Sequence, residues 1–354
     1  MPISEFLPGR LPNFARRRIM EVGRPGRMFQ DRLQDWAATR GYRLAIAGTG
    51  VIDAVRKKLE ERRSAGMIDT DFFKESLGGF RFLDGVAVAG PRRVVMVAVP
   101  CPIHVLPLKV GRRKIDALIP PTYVRYNATF ADVLNDMKNN ALGKDAEAET
   151  LKVPLKSLAV HMGLVVYGRN NITYVPGLGS GHQLCAYVVG TGEGPVGEGE
   201  KAEGRESVLE RCENCRACIK ACPTGAIRED RFLISAERCF TRLSESRNPI
   251  PAWAKPPKSI CLIGCMACQQ VCPENKGRLK TESSGVEFTV EETGAILKAG
   301  RKLAAVDRGG DAQGEAEEKG GPALASARAK VETLGMTEDF EVMGRNLGYF
   351  LKRR

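Results

Sequence analysis

Apolar residues along this chain recur with two different periods, and the switches between them mark out its elements. Residues 93–99 (Arg93-Val94-Val95-Met96-Val97-Ala98-Val99) form a β-branched run between prolines, the pattern of a strand buried on both faces. Arg43-Leu44-Ala45-Ile46-Ala47, Leu164-Val165-Val166 and Cys185-Ala186-Tyr187-Val188-Val189 predict further strands. Helical spacing predicts helices over 31–40, with Leu33 and Trp36 on one side, over 128–141 and over 151–162. Strands and helices therefore alternate through residues 31–189, which predicts an α/β domain built on a mixed sheet. Residues 1–30 alternate Pro, Gly and Arg and read as an extended basic arm. Residues 190–206 are Gly- and Glu-rich without apolar periodicity and read as a flexible linker. The pattern turns helical over 286–354, around a polar Gly/Glu stretch at 308–321 that is expected to be mobile. A last helix near 337–353 sets Phe340, Met343, Leu347 and Phe350 on one face.

A length of 354 residues accommodates two or three domains. The net charge is +12, and the first 58 residues hold twelve Lys/Arg against five Asp/Glu. Such a balance suits a nucleic-acid partner, an acidic redox partner or simply a solvated surface. No stretch approaches the apolar length needed to span a bilayer, so no membrane insertion is expected. Arg16-Arg17-Arg18 is followed by charged residues where a twin-arginine export signal requires an apolar run, and a cytoplasmic location is expected. Gly48-Thr49-Gly50 is a lone GxG, with Asp53 where a dinucleotide fingerprint needs its third glycine.

Eight of the 11 cysteines form one pattern. It runs Cys212-x2-Cys215-x2-Cys218-x3-Cys222-Pro223, then Cys239, then Cys265-x2-Cys268-x3-Cys272-Pro273. A four-iron cube takes four thiolates, and in the bacterial C-x2-C-x2-C-x3-C-P run the fourth cysteine serves the other cluster. The spacing therefore predicts two [4Fe–4S] clusters on an α+β, bacterial two-cluster ferredoxin-like domain over 207–285. One cluster takes Cys212, Cys215, Cys218 and Cys272, and the other takes Cys222, Cys239, Cys265 and Cys268. Cys261 is an alternative to Cys239. Two-residue gaps let the chain curl around a cube, and the three-residue gap starts a helical turn that the following proline stops. Zinc sites more often use two C-x2-C pairs on a longer loop.

Of the remaining cysteines, Cys185 lies in an apolar strand. Cys101 follows the strand 93–99, at a strand end where α/β domains place active-site groups, and is a candidate catalytic thiol or a small core residue. His104, His161 and His182 form no metal-ligand pair at helical spacing. His104 stands close to Cys101 in sequence, and His182 lies in a loop expected to line the same cavity.

Residues 159–170 (Ala159-Val160-His161-Met162-Gly163-Leu164-Val165-Val166-Tyr167-Gly168-Arg169-Asn170) and Pro176-Gly177-Leu178-Gly179-Ser180 resemble the A-x-x-A-G-L-G-x-x-G-K-N … P-x-x-G-S segment of epoxyqueuosine reductases. The same family continues with Cys-Pro-Thr-Gly-Ala-Ile, here Cys222 to Ile227, an Arg-Cys pair, here Arg238-Cys239, and a Gly-Cys-x2-Cys-Gln-x2-Cys-Pro block, here Gly264 to Pro273. The resemblance runs over roughly residues 35–285. It implies a nitroreductase-like α/β domain that binds cobalamin, fed with electrons by two [4Fe–4S] clusters and acting on epoxyqueuosine in tRNA. It also implies an electron donor such as a ferredoxin or flavodoxin. Gly168, Arg169, Asn170, Gly179 and Ser180 match the cofactor-side motif, and the Arg-Cys match favours Cys239 over Cys261. Three departures mark a divergent relative. The family's proton-donating Asp is absent from Glu147 to Lys152, where Glu149 is the acid in its place. A Tyr-His pair is missing after Arg125-Tyr126, and Arg169 replaces Lys. An electron-transfer module serving a partner protein, without catalysis of its own, is the alternative these departures leave open.

Overall fold

The computed structural model describes residues 25–191, 208–306, 321–336 and 339–352. The arm over 1–24, most of the linker expected at 190–206 and most of the polar stretch expected at 308–321 lie outside the described residues. The first helix, α1 (Pro25–Thr39), starts inside the segment read as arm.

The central sheet orders its strands β1 (Arg43–Gly48), β2 (Arg92–Pro100), β8 (His182–Gly190) and β5 (Ala148–Thr150). As the pattern predicts, β2 is buried from Arg93 to Ala98. Side chains alternate between the two faces. Val94, Met96, Ala98, Ala186 and Val188 face α2 (Gly50–Ser64) and α5 (Leu155–His161), while Val95, Val97, Cys185, Tyr187 and Val189 face α1 and α4 (Tyr126–Met137). A short α3 (Thr70–Phe72) runs into a π-helical turn at Phe73–Leu77, and α4 continues into another at Lys138–Leu142. The layers are those of a mixed α/β fold.

Every pairing in this sheet is antiparallel, not mixed. Periodicity specifies which face a residue uses but not strand direction. After Pro100 the chain does not return through a helix, as a parallel neighbour would require. It leaves instead through a hairpin, β3 (Ile103–Val110) and β4 (Arg113–Ile119), turned at Gly111 with a positive φ of 57°. Parallel pairing occurs there, between β3 and β9 (Thr281–Ser283). The expected helix over 151–162 starts only at Leu155, behind Pro154, and the strand expected at 164–166 appears as β6 (Val166–Tyr167), paired with β7 (Thr173–Tyr174).

The hairpin belongs by packing to the C-terminal body. Leu106, Leu108, Ala117 and Ile119 share a core with Ile296, Leu303, Met343, Leu347 and Phe350 from α9 (Val290–Val306) and α11 (Phe340–Lys352). The same core takes Ala327 and Val331 from α10 (Pro322–Thr333). This core joins residues from both sides of the boundaries expected at 189 and 285. Helices α9 and α11 touch backbone to backbone. A Cβ on Gly300 would stand 2.0 Å from Arg345 N, and one on Gly344 would stand 2.0 Å from Ile296 O.

Between these bodies lie the cysteines, in and around three short helices, α6 (Ala217–Ala221), α7 (Phe240–Glu245) and α8 (Ala267–Gln270). Each three-residue gap is a helical turn, as expected: α6 leads from Cys218 to Cys222, and α8 leads from Cys268 towards Cys272. No helix among the described residues is long and apolar enough to cross a membrane.

Candidate functional site

The eight patterned thiols fall into two groups. Burial pushes the Cys218 thiol up to about 11, and the next contributions come from Cys212, Cys215 and Cys272. Burial pushes Cys268 up to about 12, followed by Cys239, Cys222 and, more weakly, Cys218. Cys265 is raised by burial, with Cys268, Cys261 and Cys239 adding to it. Cys218 thus neighbours Cys212, Cys215 and Cys272, and Cys268 neighbours Cys222, Cys239 and Cys265, with Cys218 also within reach of Cys268. Cys239, Cys265 and Cys268 of the second group sit among more protein than Cys212 of the first, while Cys218 is the one of the eight thiols buried from solvent. Among the described residues, no three His, Cys, Asp or Glu side chains close on a point that would hold one metal ion. A four-iron cube takes four thiolates, one per iron.

The donor set fits such a group. Thr241 and Arg242 backbone N–H groups and the Thr241 hydroxyl are directed at Cys239, and Ala267 N–H is directed at Cys265. Donors aimed at sulfur favour the thiolate, which burial alone disfavours. Cys261 is fully buried beside Ile103 and Met266, where burial pushes its thiol up to about 12. It packs next to the second group.

The loop between β6 and β8 is built against these thiols. Arg169 N–H donates to Cys212 Sγ at 3.5 Å, and its Nε and Nη2 donate to Cys212 O at 3.2 and 2.9 Å. Asn170 Nδ2 donates to Tyr174 Oη at 2.9 Å, and the two side chains also reach Cys268 and Cys272 respectively. Gly168 is required here, since a Cβ would lie 2.6 Å from both Asn170 Oδ1 and Tyr174 Cε2. Further on, Ser180 Oγ donates to Gln269 Oε1 at 2.8 Å, Ser180 N–H donates to Asn275 Oδ1 at 2.8 Å, and Asn275 Nδ2 donates to both Ser180 Oγ and Gln269 O at 2.8 Å. Gly179 makes room for the same latch, because a Cβ there would meet Asn275 Oδ1 at 2.5 Å. His182 braces the loop through Thr173 Oγ1 at 3.1 Å and Gly179 O at 3.2 Å, and burial pulls its pKa down to about 4. Of the five residues matched to a cofactor motif, Arg169, Asn170 and Ser180 therefore turn their groups towards the cluster segment, and Gly168 and Gly179 leave room for their neighbours.

Glu149 lies in β5, opposite Val188, and accepts Ala87 N–H on Oε1 at 3.0 Å. Cys101 accepts Thr122 N–H on Sγ at 3.3 Å, and burial raises its thiol. Thr122 takes a φ of 82°, an unusual conformation for a β-branched residue. His104 pairs in register with Ile119 and Glu282, and burial lowers its pKa.

Spacing does not reveal Lys156, on α5. Its side chain is exposed, and its ammonium donates to Asn171 O at 3.0 Å and feels the charges of Cys239 and Cys268. Desolvation lowers its pKa. Tyr174, Asn275 and Arg345 are likewise invisible in the pattern, whereas Gln269 stands in the Cys-Gln motif. Arg345, on α11, donates to the carbonyls of Leu243 (3.1 Å), Ser244 (3.3 Å), Ser246 (2.6 Å) and Asn248, closing the far end of the helix that begins at Cys239. Neighbouring Asn346 donates to Ser244 O and Leu262 O, both at 2.8 Å.

Residues 211–275 match the family model described as a 4Fe-4S double cluster binding domain. A curated relative, epoxyqueuosine reductase of Shewanella oneidensis, is 41% identical over 78 residues, which are 22% of this chain and 20% of that protein. The match thus spans about a fifth of the relative's length. The solved epoxyqueuosine reductase of Streptococcus thermophilus superposes with a TM-score of 0.58 at 17% identity, over 90% of this chain and 79% of the other. A second solved epoxyqueuosine reductase, with a tRNA stem loop, gives a TM-score of 0.50 at 19% identity, over 72% of this chain and 67% of the other. The cysteine segment thus matches a 4Fe-4S double cluster binding domain, carried on a chain with the fold of the epoxyqueuosine reductases.

Proposed function

We propose that the chain is an iron–sulfur reductase of the epoxyqueuosine reductase type, which takes electrons in at the first thiol group and delivers them from the second. The observation that carries this reading is the grouping of the thiols around Cys218 and Cys268 against one loop of the α/β body. Cys212, Cys215, Cys218 and Cys272 would hold one [4Fe–4S] cluster, and Cys222, Cys239, Cys265 and Cys268 the other. Bound there, the clusters supply single electrons at low potential. The acceptor would lie at Lys156, beside the second group. A desolvated ammonium gives up its proton more readily than a free lysine. Removing an epoxide oxygen as water takes two electrons and two protons, and Lys156 is placed to supply one proton.

Arg169, Asn170 and Ser180, matched to a cobalamin motif, direct their groups at the cluster segment and so offer no fit to a corrinoid. A net charge of +12 and the stem loop held by a relative of the same fold support tRNA as the substrate carrier. An electron donor such as a ferredoxin or flavodoxin would complete the system.

The test is anaerobic reconstitution, followed by cobalamin titration with optical and paramagnetic-resonance spectra and an assay on epoxyqueuosine-containing tRNA. Two clusters with turnover of that tRNA support the reading. Two intact clusters with no turnover, with or without cobalamin, refute it in favour of an electron-transfer module.

A further inference from the structure

We infer that Trp253 is a stacking platform for an unpaired base of the RNA, standing outside the second thiol group. The inference rests on RNA being the substrate carrier, as proposed above. The chain has two tryptophans. Trp36 is 3% exposed, and its indole N–H donates to Asp136 Oδ2 at 2.8 Å. Trp253 is 47% exposed, and its indole N–H has no acceptor among the described residues. Tryptophan is a residue that folding usually covers, and one left open on a basic surface is suited to a partner that brings its own apolar face.

The ring is held in place by its surroundings. It lies in a loop with Pro249, Pro251, Pro256 and Pro257, whose fixed φ angles stiffen the chain. Ala254 N–H closes a turn onto Pro251 O at 3.0 Å, Ala254 is fully buried, and Tyr349 Oη donates to Ala254 O. Arg238 covers the ring from one side, with Cζ 4.4 Å from the centroid, and its Nε donates to Thr224 O at 3.1 Å. Arg238 directly precedes Cys239, and Thr224 stands two positions after Cys222. The platform is therefore fastened to the chain that carries two thiols of the second group.

Charge selects the partner. Residues 236–239 and 249–258 carry Arg238, Lys255 and Lys258 against Glu237 alone. Lys255 is exposed and has no partner among the described residues. An RNA loop supplies both halves of what this surface accepts, phosphates for the cations and a splayed base whose π-face covers the indole. A ring already held by its loop and by Arg238 loses little freedom on stacking. A base seated there lies beside the second group, from which the proposed reading has the electrons leave.

The experiment is an anisotropy titration of the cluster-reconstituted full chain with two fluorescein-labelled RNAs, a stem loop and a blunt duplex of equal length, over a salt series. Trp253→Ala is expected to keep the parent's iron content and to bind the stem loop about tenfold more weakly, with the duplex unchanged. Its salt slope should match the parent's, because the lost contact carries no charge. Lys255→Ala should instead weaken both RNAs and lower the slope by about one. Trp253→Phe keeps a ring and should recover most of the affinity. A 5-iodouridine placed in the loop should crosslink the parent, on irradiation, to the peptide that holds Trp253, a readout that needs no variant. Unmoved stem-loop binding in Trp253→Ala, or crosslinks only elsewhere, overturns the inference and leaves the RNA reading standing. Slower cluster reduction by a ferredoxin or flavodoxin in that variant, with RNA binding unmoved, gives the surface to a protein partner and overturns it equally. A parent that binds neither RNA refutes the RNA reading itself, and the inference falls with it.

Discussion

Asn275 ties the α/β loop to the cluster segment, and truncating it to alanine is a direct measure of that tie. The side chain is 5% exposed and makes three hydrogen bonds of 2.8 Å, to Ser180 N–H, Ser180 Oγ and Gln269 O. In Asn275→Ala, Ser180 Oγ keeps its bond to Gln269 Oε1 and Gln269 C=O keeps the Cys272 N–H, so Ser180 N–H is the buried group left without its partner. Stripping a buried group costs about 1–3 kcal/mol. Water entering the vacated space recovers part of this, which leaves about 1.5 kcal/mol against closure of the loop. At about 1.4 kcal/mol per tenfold, local opening becomes roughly tenfold more frequent. Hydrogen exchange followed by mass spectrometry reads this directly, because the Ser180 amide is itself the stripped donor. Amides of the β2–β8 ladder, such as Val95 and Tyr187, serve as the internal control. Unchanged exchange over residues 176–182, in a variant with full iron content, refutes the idea that this network holds the loop.

Three further outcomes follow from the same geometry. His182 has a pKa of about 4 when folded against 6.5 for the free side chain, so the unfolded chain binds the extra proton between these values. Stability on this account is full above about pH 6.5 and falls by about 3 kcal/mol as the pH drops to 4; His182→Phe should flatten that part of a urea-midpoint profile, and an unaltered slope would contradict it. Arg345→Met leaves the carbonyls of Leu243, Ser244, Ser246 and Asn248 without this donor, at a cost of more than about 3 kcal/mol. Calorimetry should show a thermal midpoint lowered by at least roughly 5 °C, and an unchanged midpoint would deny the helix-closing role. Cys239→Ala should halve the bound iron while Cys261→Ala leaves it intact; the reverse result would exchange their assignments.

How much of this was open to reading along the chain depends on the range of the physics involved. Strand β2 is legible because residues 93–98 are buried on both faces, which leaves no polar alternation. The hairpin β3–β4 is not, since Pro107 and Lys109 break its apolar period and its third strand, β9, lies some 160 residues later. Strand direction is equally silent, because alternation reports a face and not a partner. Cysteine spacing is a matter of local chain curvature around a cube, so the two groups can be written down from sequence. What surrounds them cannot. Lys156 is one lysine on an amphipathic helix, and Tyr174 is one aromatic in a short strand. Their significance arises only when folding sets them beside Cys239, Cys268 and Cys272. Ser180 illustrates the converse, a motif serine whose hydroxyl turns out to face Gln269 and Asn275.

Helix α7 begins at Cys239 and is closed by Arg345, a residue that lies about a hundred positions later. The ribosome adds roughly 5–20 residues per second, so all eight patterned cysteines are synthesised some seconds before that arginine exists. During this interval the α7 carbonyls face water, and the second cradle stays incomplete while the first one already has every thiol it needs. Assembly therefore has a natural order in time: iron can settle first near Cys212, and the second group is locked only when the last helix docks. An interruption of synthesis after Cys272 would yield a chain with every cysteine present and one half of its metal chemistry insecure.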